Sequence, residues 1–291
     1  MSDFIQLLLS GTAIGSLYAL IALGYSLTYV VNGTLNMSQG QLVMLGGMLM
    51  YSFTSGGMPF IAALLLAGAI VGVVGIAMER LAIRKFAKDP SSVGWVLSTI
   101  AAGIIIQDVA QYFWGPDERV VASPAGENMV RIMGAGVYWK ELIFIPLAAL
   151  FFAGLAYFYK YSHWGLWLRA TADNRTAAEL MGVGTHRVVA VAYVLSGMLA
   201  GWGGAMMSTN YAVSVSIGLA LGLKAISVAI LAGLNNAKGI VIAGLVLGLA
   251  EVAVAQYIST DFREIIIYLV VILVLYLKPT GLFGTRMPVK V

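Results

Sequence analysis

Cysteine is absent from the 291 residues, which excludes disulfides, thiol catalysis and Cys-ligated metals. Only two histidines occur, His163 and His186, both in one polar loop. There is no His-x-x-x-His or comparable ligand cluster, and no Gly-x-x-x-x-Gly-Lys phosphate loop. Charge is scarce too: Asp, Glu, Lys and Arg together make 10% of the chain. The net charge of +4 comes from basic residues spread over several loops, so it is no footprint for nucleic acid. Nor does a basic leader precede the first apolar run. Met1-Ser2-Asp3 opens straight into it with no small-residue cleavage site, so the first helix reads as a retained span. Enzyme chemistry finds no support.

What the chain has is apolar surface. Sixty per cent of residues are hydrophobic and the mean hydropathy is +0.91. A soluble domain of this length has no core large enough to hide that. The fold class expected is an all-α polytopic membrane protein, one transmembrane domain over 1–291. A window of about 20 residues places spans near 4–31, 37–53, 60–78, 93–113, 139–159, 188–207, 218–234, 239–258 and 262–277. Those near 37–53 and 218–234 read as half-helices or re-entrant pieces, so the count is eight to ten crossings. Arg80, Arg84, Lys85 and Lys88 crowd one loop; Lys160, Arg169, Arg175 and Arg187 another; Lys278, Arg286 and Lys290 the tail. With nine spans these lie on one side, and the positive-inside rule makes it the cytoplasm. The N-terminus is then expected outside and the C-terminus inside. Loop 114–138, with Asp117, Glu118 and Glu127 against Arg119 and Arg131, is the largest external segment.

Loop 160–187 carries the most polar internal run, from Arg169 through Asp173, Asn174, Arg175, Glu179, Gly182 and His186 to Arg187. Asp173 or Thr176 can cap a short helix, since Thr176-x-x-Glu179 spells a capping box, and Gly182 supplies a left-handed stop. Ala177, Leu180 and Met181 share one face of that helix. Such an amphipathic helix suits a groove of a soluble partner; an ordinary solvated loop would have the same composition.

Thirty-four glycines include small-x-x-x-small pairs at Gly11/Gly15, Gly68/Gly72, Gly197/Gly201, Gly218/Gly222 and Gly244/Gly248. Such pairs let helix backbones approach closely in lipid. Two runs break the apolar pattern with amides: Asn32 to Gln41, holding Asn36, Ser38 and Gln39, and Gly233 to Gly239, holding Asn235 and Asn236. Unsatisfied backbone is not tolerated against lipid, so such breaks lie at the interface or line a watery cavity. Their places in the two halves raise a possible internal repeat of the transporter kind. Within spans, Gln107, Asp108 and Gln111 share the fourth, Lys224 opens the seventh, and Glu251 and Gln256 lie in the eighth. Each is expected to face the bundle interior, a cavity or an interface. For Asp108 and Glu251 a buried hydrogen-bonding role is favoured over substrate contact; Lys224 and Gln256 also suit interfacial snorkelling.

Over almost its whole length the chain resembles the permease subunit of branched-chain amino-acid-type ABC importers, whose archetype is the high-affinity leucine/isoleucine/valine permease. The resemblance runs through Gly15-Ser-Leu-Tyr-Ala-Leu-Ile-Ala-Leu-Gly24-Tyr-Ser-Leu-Thr-Tyr29, then Gly33-x-Leu-Asn36-x-x-x-Gly40. It continues in Arg169-Ala-x-Ala-Asp173 through Leu180-Met-Gly182-Val and Arg187, in Gly222-Leu-Lys224 to Gly233, in Gly244-x-x-x-Gly248-x-x-Glu251 and in Pro279-Thr-Gly281-Leu-Phe-Gly284. Where the family usually has Asn-Phe-Ala-His-Gly-Glu, this chain has Asn36-Met37-Ser38-Gln39-Gly40-Gln41, two neutral amides for a titratable pair. The family's Gly-Ser-x-Pro-Gly turn is replaced by Asn235-Asn236-Ala237-Lys238-Gly239, and Asp108 stands for a neutral amide. Relatives carry several solute classes, and these changes leave the substrate open.

The resemblance implies a bacterial inner-membrane importer subunit paired with a homologous or identical permease. Two cytoplasmic ATPase subunits would hold ATP and Mg, so this chain needs no cofactor, and a periplasmic binding protein would deliver substrate. It places ATPase docking on Arg169, Asp173, Arg175, Ala177, Glu179, Leu180, Met181, Gly182 and Arg187. The translocation-path candidates are Asn32, Asn36, Ser38, Gln39, Gln41, Lys224, Asp108 and Glu251. The competing reading is a stand-alone channel or secondary carrier for a small neutral solute such as urea or an amide. A membrane scaffold or receptor is a third, and it has no need of paired broken helices.

Overall fold

A computed structural model describes residues 2–87, 93–123, 126, 129–132 and 135–284. Among the loop charges, Lys88, Glu127, Arg286 and Lys290 lie outside the described residues. The helices are α1 (Ser2–Asn32), α2 (Gln39–Ser55), α3 (Phe60–Met78) with a π turn Glu79–Ile83, and α4 (Gly94–Trp114). A hairpin of β1 (Met129–Ile132) and β2 (Ala135–Tyr138) leads through the single turn α5 (Trp139–Leu142) into α6 (Phe144–Tyr161). Then come α7 (His163–Asp173), α8 (Arg175–Leu180), α9 (Thr185–Met207), α10 (Ile217–Ala232), α11 (Ala237–Tyr257) and α12 (Arg263–Leu277). Among the described residues, six helices are long and apolar enough to cross a membrane, α3 counted with its π turn and α6 with α5. This is an all-α polytopic membrane protein.

Glycine decides which helices touch. Gly11 and Gly15 of α1 lie against Gly248 and Gly244 of α11, and Gly68 and Gly72 of α3 lie against Gly201 and Gly197 of α9. Both pairs run antiparallel, and they are the two most extensive helix contacts in the bundle. With no Cβ at these positions the backbones meet directly, where dispersion takes the place of a hydrophobic drive.

The symmetry of these contacts exposes the repeat. α1, α2, α3 and α4 correspond in order to α9, α10, α11 and α12, with the second set inverted end for end. α1 begins at what we call the first end, together with the ends of α4 and α11: Gln256 donates to the Asp3 carbonyl, and Arg119 just past α4 pairs with Val213 just past α9. α1 and α3 finish at the second end, where α9 begins. The sequence places the paired breaks at 32–41 and 233–239; the fold corrects this. The counterpart of the break 33–38 is the segment 208–216, and 233–236 corresponds to the plain turn 56–59. The amide-rich composition of 233–239 has a local cause. Asn236 caps α11 through Gly239 N–H (2.9 Å) and reaches the Phe283 carbonyl (3.1 Å). The C-terminal strap closes α10 with Leu282 N–H on the Leu231 carbonyl and Phe283 N–H on that of Ala232. Gly233 and Gly281, both in the left-handed region, allow that strap to lie backbone on backbone.

Candidate functional site

The two short helices α2 and α10 start beside each other inside the bundle and run to opposite ends. Gly40 lies against the backbone of Gly218 and Gly222, so the broken helices cross at the pseudo-two-fold axis. The break leading to α2 is buried and partly satisfies itself, although Asn36 Nδ2 takes no hydrogen bond among the described residues. Ser38 donates through N–H (3.2 Å) and Oγ (2.7 Å) to Asn36 Oδ1. Gln39 Nε2 donates to the Ser196 carbonyl at 3.1 Å, and Ser196 Oγ donates to Gln39 Oε1 and to the Gly24 carbonyl. Asn36, Ser38, Gln39 and Gln41 are all buried within the bundle in this conformation. Short polar side chains at a helix break replace lost backbone bonds.

A cavity of about 310 Å³ opens at the first end between α1, α5, α10, α11 and the start of α12. Lys224 Nζ sits 3.1 Å from Glu251 Oε1 and 3.1 Å from Glu264 Oε1, and Arg263 Nε lies 3.2 Å from Glu251 Oε1. Glu141 closes the rim, accepting from Ser10 at 2.8 Å. Burial pushes the Tyr211 hydroxyl on the rim up to about 12, so it stays protonated. Lys224 does not snorkel; it is buried and held between carboxylates. Lys224→Met should lower stability by about 3 kcal/mol by leaving Glu251 with Arg263 as its remaining cationic partner, and Glu251→Leu in the same chain should recover part of it. Thermal unfolding in detergent checks both; equal midpoints for Lys224→Met and the double variant would show that the pair is uncoupled.

The second end holds the equivalent cavity, about 360 Å³, lined by Asn32, Glu79, Arg84, Arg175 and His186. Glu79 closes α3 as Glu251 nears the close of α11, and each takes an arginine from the segment just past its helix. Here the pairing is complete: Arg84 Nε and an η nitrogen bond both Glu79 oxygens at 2.9 and 2.7 Å. Above this cavity lies the elbow of α7 and α8. Trp164 and Trp167 of α7 meet edge to face, an amphipathic pair suited to a membrane interface.

The cap of α8 is Asn174, whose Oδ1 accepts from Ala177 N–H at 3.0 Å, and not Asp173 or Thr176 as the capping-box spelling suggests. Gly182 supplies the left-handed stop at φ 84°. Glu179 accepts from Thr185 and from Arg175, which holds its carboxylate below the usual range, Thr185 contributing most. That latch is present at neutral pH and is lost only as pH falls through the lowered value. Ala177, Leu180 and Met181 face outward, Leu180 at 84% and Met181 at 85% exposure. Arg169, Asp173 and Arg187 are also exposed along this elbow. Arg175 reaches inward instead, donating to Asn32 Oδ1 at 3.3 Å, and Asn32 donates to Thr34 Oγ1, which shares a hydrogen bond with Tyr193.

Lys224 and Glu251 are thus brought together, while Asn32 belongs to the opposite cavity. Asp108 joins neither; it is exposed on the outward face of α4, against the expected buried role. Arg263, Glu264, Glu79, Arg84 and Asn210 were missed. Arg263 and Glu264 read as loop charges before the last span, and only the fold brings them over Glu251.

Comparison with known proteins agrees over nearly the whole chain. The profile of the family described as branched-chain amino acid transport system / permease component matches residues 7–275. The high-affinity branched-chain amino acid transport system permease protein LivH of Escherichia coli K12 is 30% identical over 97% of this chain and 96% of its own. The protein BraD of Pseudomonas aeruginosa, of the same description, is 26% identical over 97% and 96%. Among solved structures, PsaBC from Streptococcus pneumoniae in complex with Fab matches 93% of this chain and 91% of its own at 13% identity and a TM-score of 0.49.

Proposed function

Because this chain belongs to the branched-chain amino acid transport permease family, we propose that it carries an aliphatic amino acid across the inner membrane, driven by ATPase subunits bound at α8. The observation that carries this is the α8 face of Ala177, Leu180 and Met181, apolar, exposed and rigidly latched. A soluble partner that buries it gains what no intrachain contact supplies. In this reading the second end faces the cytoplasm and two ATP-binding subunits, which hold the ATP and Mg. The first end faces a periplasmic binding protein. A second permease, identical or homologous, covers the outward face of α4, because a carboxylate such as Asp108 is costly against lipid.

The coupling route runs along the hydrogen bonds. Arg175 links α8 to Asn32, the last residue of α1, and Asn32 links to Thr34 in the break below α2. Movement of α8 with the ATPases therefore pulls on the junction from which α2 departs. α2 crosses α10 at Gly40 and Gly218, so one displacement biases both broken helices. ATP hydrolysis by the assembled complex tests this. Binding protein loaded with leucine should stimulate hydrolysis, and Arg175→Ala should cut the stimulation about tenfold, a coupling of about 1.4 kcal/mol, while the ATPases stay bound. Hydrolysis indifferent to loaded binding protein in the unmodified complex would count against the proposal.

A further inference from the structure

Three residues that line the first-end cavity each carry a buried polar atom that takes no hydrogen bond among the described residues: Glu251 Oε2, Asn210 Oδ1 and Arg263 Nε. Glu251 is only 2% exposed. The Glu251 carboxylate interacts electrostatically with the nearby Tyr18 hydroxyl, while Oε2 itself takes no hydrogen bond of normal geometry. Arg263 Nε approaches Glu251 Oε1, but its N–H is not aimed there. Buried polar atoms normally find partners, so three orphans on residues lining one cavity mark a place where something else supplies them. Two of the three are oxygens that need donors; the third is a donor that needs an acceptor. The wall also carries Ser10, Glu141, Lys224 and Glu264, and an apolar side formed by Ile14, Leu17, Phe144 and Leu221. A volume near 310 Å³ falls at the small end of ligand sites, roughly 300–1,000 Å³.

We infer that this cavity binds an aliphatic α-amino acid as its zwitterion, with the ammonium donating to Glu251 and Asn210, the carboxylate accepting from Arg263, and the side chain on the apolar wall. The inference rests on the permease function proposed for the chain and adds a binding station within a single subunit. A simple cation leaves Arg263 unsatisfied, and a simple anion leaves Glu251 so. The equivalent cavity at the second end differs at the decisive group, because both Glu79 oxygens are already bonded by Arg84. It offers no free carboxylate oxygen to an ammonium group. The inverted repeat is thus chemically unequal: the station stands at the first end, and the second end holds no counterpart.

The cysteine-free sequence permits a direct test. Ala220 lines the cavity and is exposed, so Ala220→Cys in the full chain, in detergent, should react with a small cationic methanethiosulfonate. L-leucine at ten times its dissociation constant should slow that reaction about tenfold by occupancy. 4-Methylpentanoate, which lacks the ammonium, and 3-methylbutylamine, which lacks the carboxylate, should leave it unchanged. Glu251→Gln added to Ala220→Cys should abolish protection, measured as the ratio of that variant's own rates with and without leucine; if that variant fails to fold, Asn210→Ala takes its place. No protection by leucine, equal protection by all three compounds, or protection that survives the substitution would overturn the site. ATP-driven leucine uptake by the assembled complex with an unmodified chain separates the two readings. Uptake without protection removes the binding station and leaves the permease assignment standing; absence of both removes both.

Discussion

Leu180→Asp should leave the protein inserted and folded yet lower its affinity for the ATPase more than 100-fold. Leu180 makes no contribution to the bundle core, because its side chain points away from it. A charge placed in a contact that must exclude water costs about 3 kcal/mol or more, and each 1.4 kcal/mol is a factor of ten. Asn174→Ala should act in the same direction but more weakly, about 1 kcal/mol, because it removes only the cap that holds α8 in shape. Recovery of the ATPase with detergent-solubilised permease reads both effects. Undiminished recovery with Leu180→Asp would mean that the ATPase docks elsewhere.

Gly40→Val should be among the most damaging single changes in the membrane domain. A Cβ built at Gly40 would lie 1.9 Å from the Gly218 carbonyl oxygen and 2.9 Å from Gly222 Cα. These are backbone atoms of a second helix and cannot turn aside as a side chain can. Overpacking of this kind costs about 3 kcal/mol or more and forces the two broken helices apart. Gly154 in α6 provides the contrast, with nothing within 4 Å of its Cβ position. Gly154→Ala should be neutral or stabilising by up to about 1 kcal/mol through helix propensity. Thermal midpoints and monodispersity on size exclusion distinguish the pair. Similar midpoints for both variants would show that the crossing tolerates separation.

The spans were legible because hydropathy and length carry them; α3 coincides with its expected range, and α1, α4 and α12 begin and end within a few residues. The short helices α2 and α10 were legible as well, since glycine and amides interrupt their apolar runs. The pairing of breaks was not. Segment 208–216, the counterpart of 33–38, holds a single amide, Asn210, and no glycine, whereas 233–239 pairs two amides with two glycines, and Asn236 there caps α11. Composition names a break without naming its symmetry mate. The same limit applies to charge. Lys224 and Glu251 looked like separate intramembrane oddities, and Arg263 and Glu264 like ordinary loop residues, because 27 residues separate the first pair and the helices must fold before the four meet. Asp108 was misjudged for the opposite reason. A carboxylate in a span is expected to be buried, but α4 buries little of itself within one chain, and the proposed function places a second permease against it.

The most direct measurement of the central claim is uptake of labelled leucine into proteoliposomes that hold this permease, its ATPase subunits and an external binding protein. The result expected is uptake that requires internal ATP and loaded binding protein, and that falls to background when Leu180→Asp replaces the native chain. Leucine entering vesicles that contain this chain without any ATPase would contradict the claim and identify a channel or secondary carrier instead.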